Sequence, residues 1–102
     1  MMPNPNPQVK PKIVVADDDL DLCELLEMKL RQSDYEVFTA MDGVQALELI
    51  RSVRPNLVIL DIMMPLMTGM EVLRRAKIEH SIILNRLSGQ IDTGLGALRV
   101  SG

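Results

Sequence analysis

The chain has 102 residues, room for one small domain, and a hydrophobic content of 47% is enough to build a core. A net charge of −3, basic runs no longer than Arg74-Arg75-Ala76-Lys77, and Tyr35 and Phe38 as the sole aromatics argue against a nucleic-acid-binding surface. Cys23 is the only cysteine, which excludes an internal disulfide, and no apolar stretch approaches the ~18–20 residues that span a bilayer.

Residues 1–11 are rich in Pro and Asn and lack both an apolar segment and a signal-peptide pattern, so a disordered or extended leader is expected. The domain is then residues 12–102, and a cytoplasmic location is expected. Ile13-Val14-Val15-Ala16 is a buried-strand pattern. Asp18 or Asp19 can cap the helix that follows, over residues 20–32, where Leu22, Cys23, Leu26 and Leu30 share one face and Glu27 can pair with Arg31.

Residues 35–40 are rich in β formers and predict a second strand. Asp42-Gly43 is a turn and an N-terminal cap. The spacing of Val44, Leu47 and Ile50 predicts a helix over 43–53 with these three in the core, stopped by Pro55. Residues 56–60 form the third strand. Thr68 caps a helix over 69–78, and Ile82-Ile83-Leu84 is a short fourth strand. A weak helix is expected over 90–100, where Gly94 and Gly96 each cost about 1 kcal/mol relative to alanine.

Alternating strands and helices imply an α/β fold with a mostly parallel sheet covered on both faces. Ligands of such sheets sit beyond the carboxyl ends of the strands. Asp17 and Asp18 follow the first strand and Asp61 follows the third, so both deliver carboxylate to that edge. Converging carboxylates suit a hard divalent cation such as Mg²⁺, for which two carboxylates and a backbone carbonyl suffice beside water. With the cation neutralising phosphoryl oxygens, the carboxylate of Asp61 can serve as phosphoryl acceptor. His80, the single histidine, reads as a surface loop residue.

The segment Ile13-Val14-Val15-Ala16-Asp17-Asp18-Asp19, followed some forty residues later by Leu57-Val58-Ile59-Leu60-Asp61-Ile62-Met63-Met64-Pro65-Leu66-Met67-Thr68-Gly69, resembles the receiver domain of two-component response regulators. Val44-Gln45-Ala46-Leu47-Glu48-Leu49-Ile50 and Gly69-Met70-Glu71-Val72-Leu73 add to the likeness, which covers residues 12–77. The resemblance implies a flavodoxin-like, doubly wound parallel sheet. It implies a phosphorelay in which a sensor histidine kinase or phosphotransfer protein phosphorylates Asp61, with Mg²⁺ held by Asp17, Asp18, Asp61 and the backbone carbonyl of Met63. The family's loop proline and glycine fall on Pro65 and Gly69. Such a domain is an acceptor rather than an enzyme, and a receiver–receiver dimer is a further expected partnership; nucleic acid and membrane are not.

The chain also departs from the pattern. The family's Ser or Thr at the end of the fourth strand falls on Asn85 or Arg86, and no Lys follows Lys77. The expected strand order is therefore 2-1-3-4, with the fifth strand and last helix missing, the domain incomplete at its C-terminus and the fourth strand left as a bare edge. The alternative function is a degenerate receiver remnant that binds partners independently of phosphorylation. Asp17-x-Asp19 also imitates the nucleophile pair of haloacid-dehalogenase-like phosphatases, but Asp21 stands where that family has Thr or Val.

Overall fold

A computed structural model describes residues 9–78, 80–85, 90–93 and 96–99. The elements run β1 (Lys12–Ala16), α1 (Leu20–Gln32), β2 (Glu36–Ala40), α2 (Gly43–Val53), β3 (Leu57–Asp61), α3 (Gly69–Ala76), β4 (Ser81–Asn85), β5 (Gln90–Thr93) and β6 (Gly96–Arg99). Most of the expected leader, residues 1–8, lies outside the described residues. Among the described residues no helix is long and apolar enough to cross a membrane.

One six-stranded sheet has the order β2-β1-β3-β4-β5-β6, and its first four strands are parallel. Alternation along β1 divides the core in two. Val14 and Ala16 face α2 and α3, packing with Ala46, Ile50, Val58, Leu60, Val72 and Ile83. Ile13 and Val15 face the other way and pack with Cys23, Val37 and Ile59, against which Leu26 and Leu30 of α1 are laid. The strand order accounts for this division, because the chain steps from β1 outward to β2 and then back past β1 to β3, and crossovers of one hand then put their helices on opposite faces.

Local chemistry fixes the helix starts. Asp19, Asp42 and Thr68 are the N-caps, accepting the amides of Leu22 at 3.2 Å, Gln45 at 2.8 Å and Glu71 at 3.2 Å. Gln45 reaches back to the Met41 amide at 2.9 Å, which ties the turn before α2. The predicted Glu27–Arg31 pair forms at 3.7 Å. Helices α2 and α3 both end on a left-handed residue that is not glycine, Arg54 and Lys77, each at φ 53°.

The structure corrects three expectations. Leu47 and Ile50 are core as expected, but Val44 is 39% exposed, because the buried stripe of α2 runs through Gly43, Ala46, Leu47 and Ile50. The segment expected as a weak helix instead contains β5 and β6, in keeping with its weak helix propensity. Strand β4 is consequently no bare edge: β5 pairs with it antiparallel, Asn85 opposite Gln90, and β6 pairs with β5.

Candidate functional site

The reversal of strand order falls between β1 and β3, and the register there places the acidic residues. Ala16 is paired with Leu60. Each strand's next residue is Asp17 on one side and Asp61 on the other, so backbone pairing alone makes the two neighbours. Asp17 is fully buried and Asp61 is 2% exposed, while Asp18 turns outward to solvent. One carboxylate oxygen from each of the three lies within 4.8 Å of the others.

Backbone amides orient two of these carboxylates. Asp17 Oδ1 accepts the Asp19 amide at 2.8 Å, and Asp61 Oδ1 accepts the Met63 amide at 3.3 Å. Beneath them the Cys23 thiol donates to the Asp17 carbonyl at 3.2 Å. Burial pushes this thiol's pKa above its ordinary value, and the charge of Asp17 pushes it further, so Cys23 stays neutral below the cluster. Oxygen donors crowded this closely repel one another unless a cation sits among them. The donor set fits a hard divalent ion, and Asp18 on the solvent side leaves the approach to Asp61 polar.

The loop after β3 is held at both ends. The Gly69 amide donates to the Ile62 carbonyl at 3.1 Å, and a β-carbon at Gly69 would run into the Asp61 carbonyl oxygen. The Gly43 amide donates to the Pro65 carbonyl at 3.2 Å, and a β-carbon at Gly43 would run into the backbone and side chain of Met67. Between these anchors Leu66 adopts φ 69°, closing a γ-turn in which the Met67 amide meets the Pro65 carbonyl at 2.7 Å.

Asp17, Asp18 and Asp61, singled out in the sequence, are thus brought together. Met63 follows two residues after Asp61 with its side chain exposed, and since a thioether is too soft a donor for a hard cation, any part it plays in ligation falls to its backbone. Asn85 is the last residue of β4, immediately after the Leu84 that pairs with Asp61. Arg86, the other residue weighed for that place, lies outside the described residues. His80 is exposed, as expected of a loop residue. Sequence reasoning treated Cys23 as a simple core residue and missed its bond to Asp17. It also missed Gly43 as a contact point; the available signal was a glycine in the first turn of a helix, where it weakens the helix without a steric reason.

Fold and site together define a flavodoxin-like α/β domain with an acidic cluster at its switch point that could bind a metal ion. The chain belongs to the response regulator receiver domain family, which it matches over residues 13–95. Among solved structures it is similar to the N-terminal domain of an uncharacterised protein from Wolinella succinogenes, at 31% identity and a TM-score of 0.71, covering 74% of this chain and 64% of that one. It is similar to a chemotaxis protein of Vibrio cholerae, at 28% identity and a TM-score of 0.69, covering 74% and 68%. A third likeness is to the N-terminal domain of a response regulator receiver protein from Methanoculleus marisnigri, at 32% identity and a TM-score of 0.67, covering 72% and 65%. The chain thus spans about two thirds of the length of these structures.

Proposed function

We propose that this domain receives a phosphoryl group on Asp61 in a two-component phosphorelay. The observation that carries the reading is the convergence of Asp17, Asp18 and Asp61 within 4.8 Å at the ends of two adjacent parallel strands. Asp17, Asp18, Asp61 and the Met63 carbonyl would hold Mg²⁺. Bound there, the ion would supply charge neutralisation for the phosphoryl oxygens.

A carboxylate oxygen of Asp61 attacks the phosphorus of a phosphohistidine on a sensor kinase or phosphotransfer protein. The phosphorus–nitrogen bond breaks, and the imidazole leaves with the electron pair and takes up a proton. Asp17 and Asp18 do not react; they would hold the cation beside the acceptor. The Met63 amide, bonded to Asp61 Oδ1, helps to orient the acceptor carboxylate. The domain is an acceptor and not an enzyme with turnover of its own, and a cytoplasmic location suits a kinase partner.

The test is incubation with Mg²⁺ and acetyl phosphate, followed by intact-mass measurement. The expected result is an acid-labile gain of one phosphoryl group that disappears in Asp61→Asn and on chelation. No gain, or a gain unchanged in Asp61→Asn, rejects the reading. Asn85 at the end of β4, where the family carries Ser or Thr, favours a second reading: a phosphorylation-independent binding module. In that case a partner kinase would bind equally well with and without Mg²⁺ and phosphodonor.

A further inference from the structure

The opposite end of the sheet carries a second concave feature. Where α2 and α3 finish and β3 and β4 begin, there is a cavity of about 380 Å³. That volume lies within the range of small-molecule sites. Its apolar lining comes from Ile50, Pro55, Ala76 and Ile78; its polar lining comes from Arg54, Asn56, Lys77 and His80.

Two of the polar side chains in the lining are cations, and the other two can donate. Arg54 and Lys77 are fixed cations, and His80 carries ring N–H. The Asn56 Oδ1 is already used, accepting the Lys12 amide at 2.8 Å, which leaves the amide NH₂ as the group Asn56 has to give. Among the described residues no carboxylate lies within ion-pair distance of Arg54, Lys77 or His80; the pairs that form are Glu27–Arg31, Glu71–Arg74 and Glu71–Arg75. Among the described residues this is a local reversal of sign in a chain of net charge −3.

The backbone points the same way. Arg54 and Lys77 occupy left-handed positions, φ 53°, where glycine is the usual helix terminator. Side chains held at a conformational cost invite a functional reading. Dipole complementarity at the helix ends does not require them, because Arg51 already serves the last turn of α2, and Arg74 and Arg75 serve that of α3.

We infer that this cavity binds a small amphipathic anion, its carboxylate or phosphate met by Arg54, Lys77 and Asn56 and its short apolar body lying on Ile50, Ala76 and Ile78. The inference does not rest on phosphorylation of Asp61, so either can fail alone.

The experiment is a titration of the isotope-labelled full chain followed by amide chemical shifts, with hexanoate, hexyl phosphate and neutral hexanol as probes. Both anions are expected to give saturable shifts at Arg54, Asn56, Lys77 and Ile78, with hexanol at least about tenfold weaker. The order of the two anions tells carboxylate from phosphate; either order upholds the inference. Asparagine tolerates the left-handed region, so Arg54→Asn with Lys77→Asn is expected to fold yet to weaken hexanoate binding about tenfold or more. Hexanol as tight as hexanoate, shifts that never saturate, or undiminished binding in the double variant each overturn it. The probe comparison needs no variant, so the inference stays testable if the double variant misfolds.

Discussion

Replacing Gly69 by alanine tests the tightest packing at the site. The added β-carbon would press on the Asp61 carbonyl oxygen, and it would stand 3.1 Å from the Asp61 carbonyl carbon and 3.3 Å from the Ile62 Cα. All three neighbours are backbone atoms, so no side chain can swing away. Strand β3 cannot retreat easily either: Leu60 and Asp61 are buried, and the Ile62 amide is bonded to the Leu84 carbonyl at 3.0 Å. Relief therefore has to come from α3 moving outward, which stretches the 3.1 Å bond from the Gly69 amide to the Ile62 carbonyl. Overpacking costs ~1–3 kcal/mol. The weakened hydrogen bond adds about 1 kcal/mol. Alanine's better helix propensity returns at most about 1 kcal/mol. The net expectation is a loss of ~1–3 kcal/mol, which at ~4–8 °C per kcal/mol for a domain of this size lowers the melting temperature by ~5–20 °C. Thermal melts by far-ultraviolet circular dichroism, with and without Mg²⁺, read this directly. A Gly69→Ala protein that melts at or above the parent temperature would refute the close approach of α3 to the end of β3.

Three further outcomes are expected. Truncating the fully buried Leu60 to alanine should cost ~3–4 kcal/mol, a large part of the stability of a small domain, visible as a shifted urea midpoint at unchanged slope; a loss below ~1 kcal/mol would mean the strand is not central. Mg²⁺ at about ten times its Kd should raise stability by about 1.4 kcal/mol, while Asp18→Asn should stabilise the metal-free protein and abolish that gain. Calorimetry at matched ionic strength checks both, and a Mg²⁺ gain that survives Asp18→Asn would contradict the cluster as the binding site. Because the Cys23 thiol's pKa is raised in the fold, its contribution is fully present below the unfolded thiol value of about 8.5 and is lost as pH rises through the higher folded value. The parent should then lose stability more steeply above about pH 8.5 than Cys23→Ala does; parallel pH curves would show that the thiol is not held neutral.

The parallel core was legible because its signals are local. Apolar runs ending in Asp17 and Asp61, caps at Asp42 and Thr68, and the stop at Pro55 each lie within one short segment. The acidic site was legible for the same reason, since a parallel sheet aligns strand ends without further information. What the sequence withheld depends on contacts between segments. Nothing local tells that Asp17 is sealed while Asp18 faces water, because strand alternation ceases where the strand ends. On α2 Leu47 and Ile50 were legible as core, but Val44 was not legible as exposed, because the small residues Gly43 and Ala46 complete the buried stripe in its place. The fate of residues 90–99 depended on β4 offering an unfilled edge, which competes with weak helix propensity.

The two glycine contacts have a mechanical consequence. Gly69 joins the start of α3 to the backbone of Asp61, and Gly43 joins the start of α2 to Pro65 and Met67. The Gly69 joint is backbone against backbone, and the Gly43 joint meets the backbone and β-carbon of Met67. The loop between positions 61 and 69 is thereby pinned against a helix start at two points. The starts of α2 and α3, on one face of the sheet, are thereby both tied to the segment that carries Asp61.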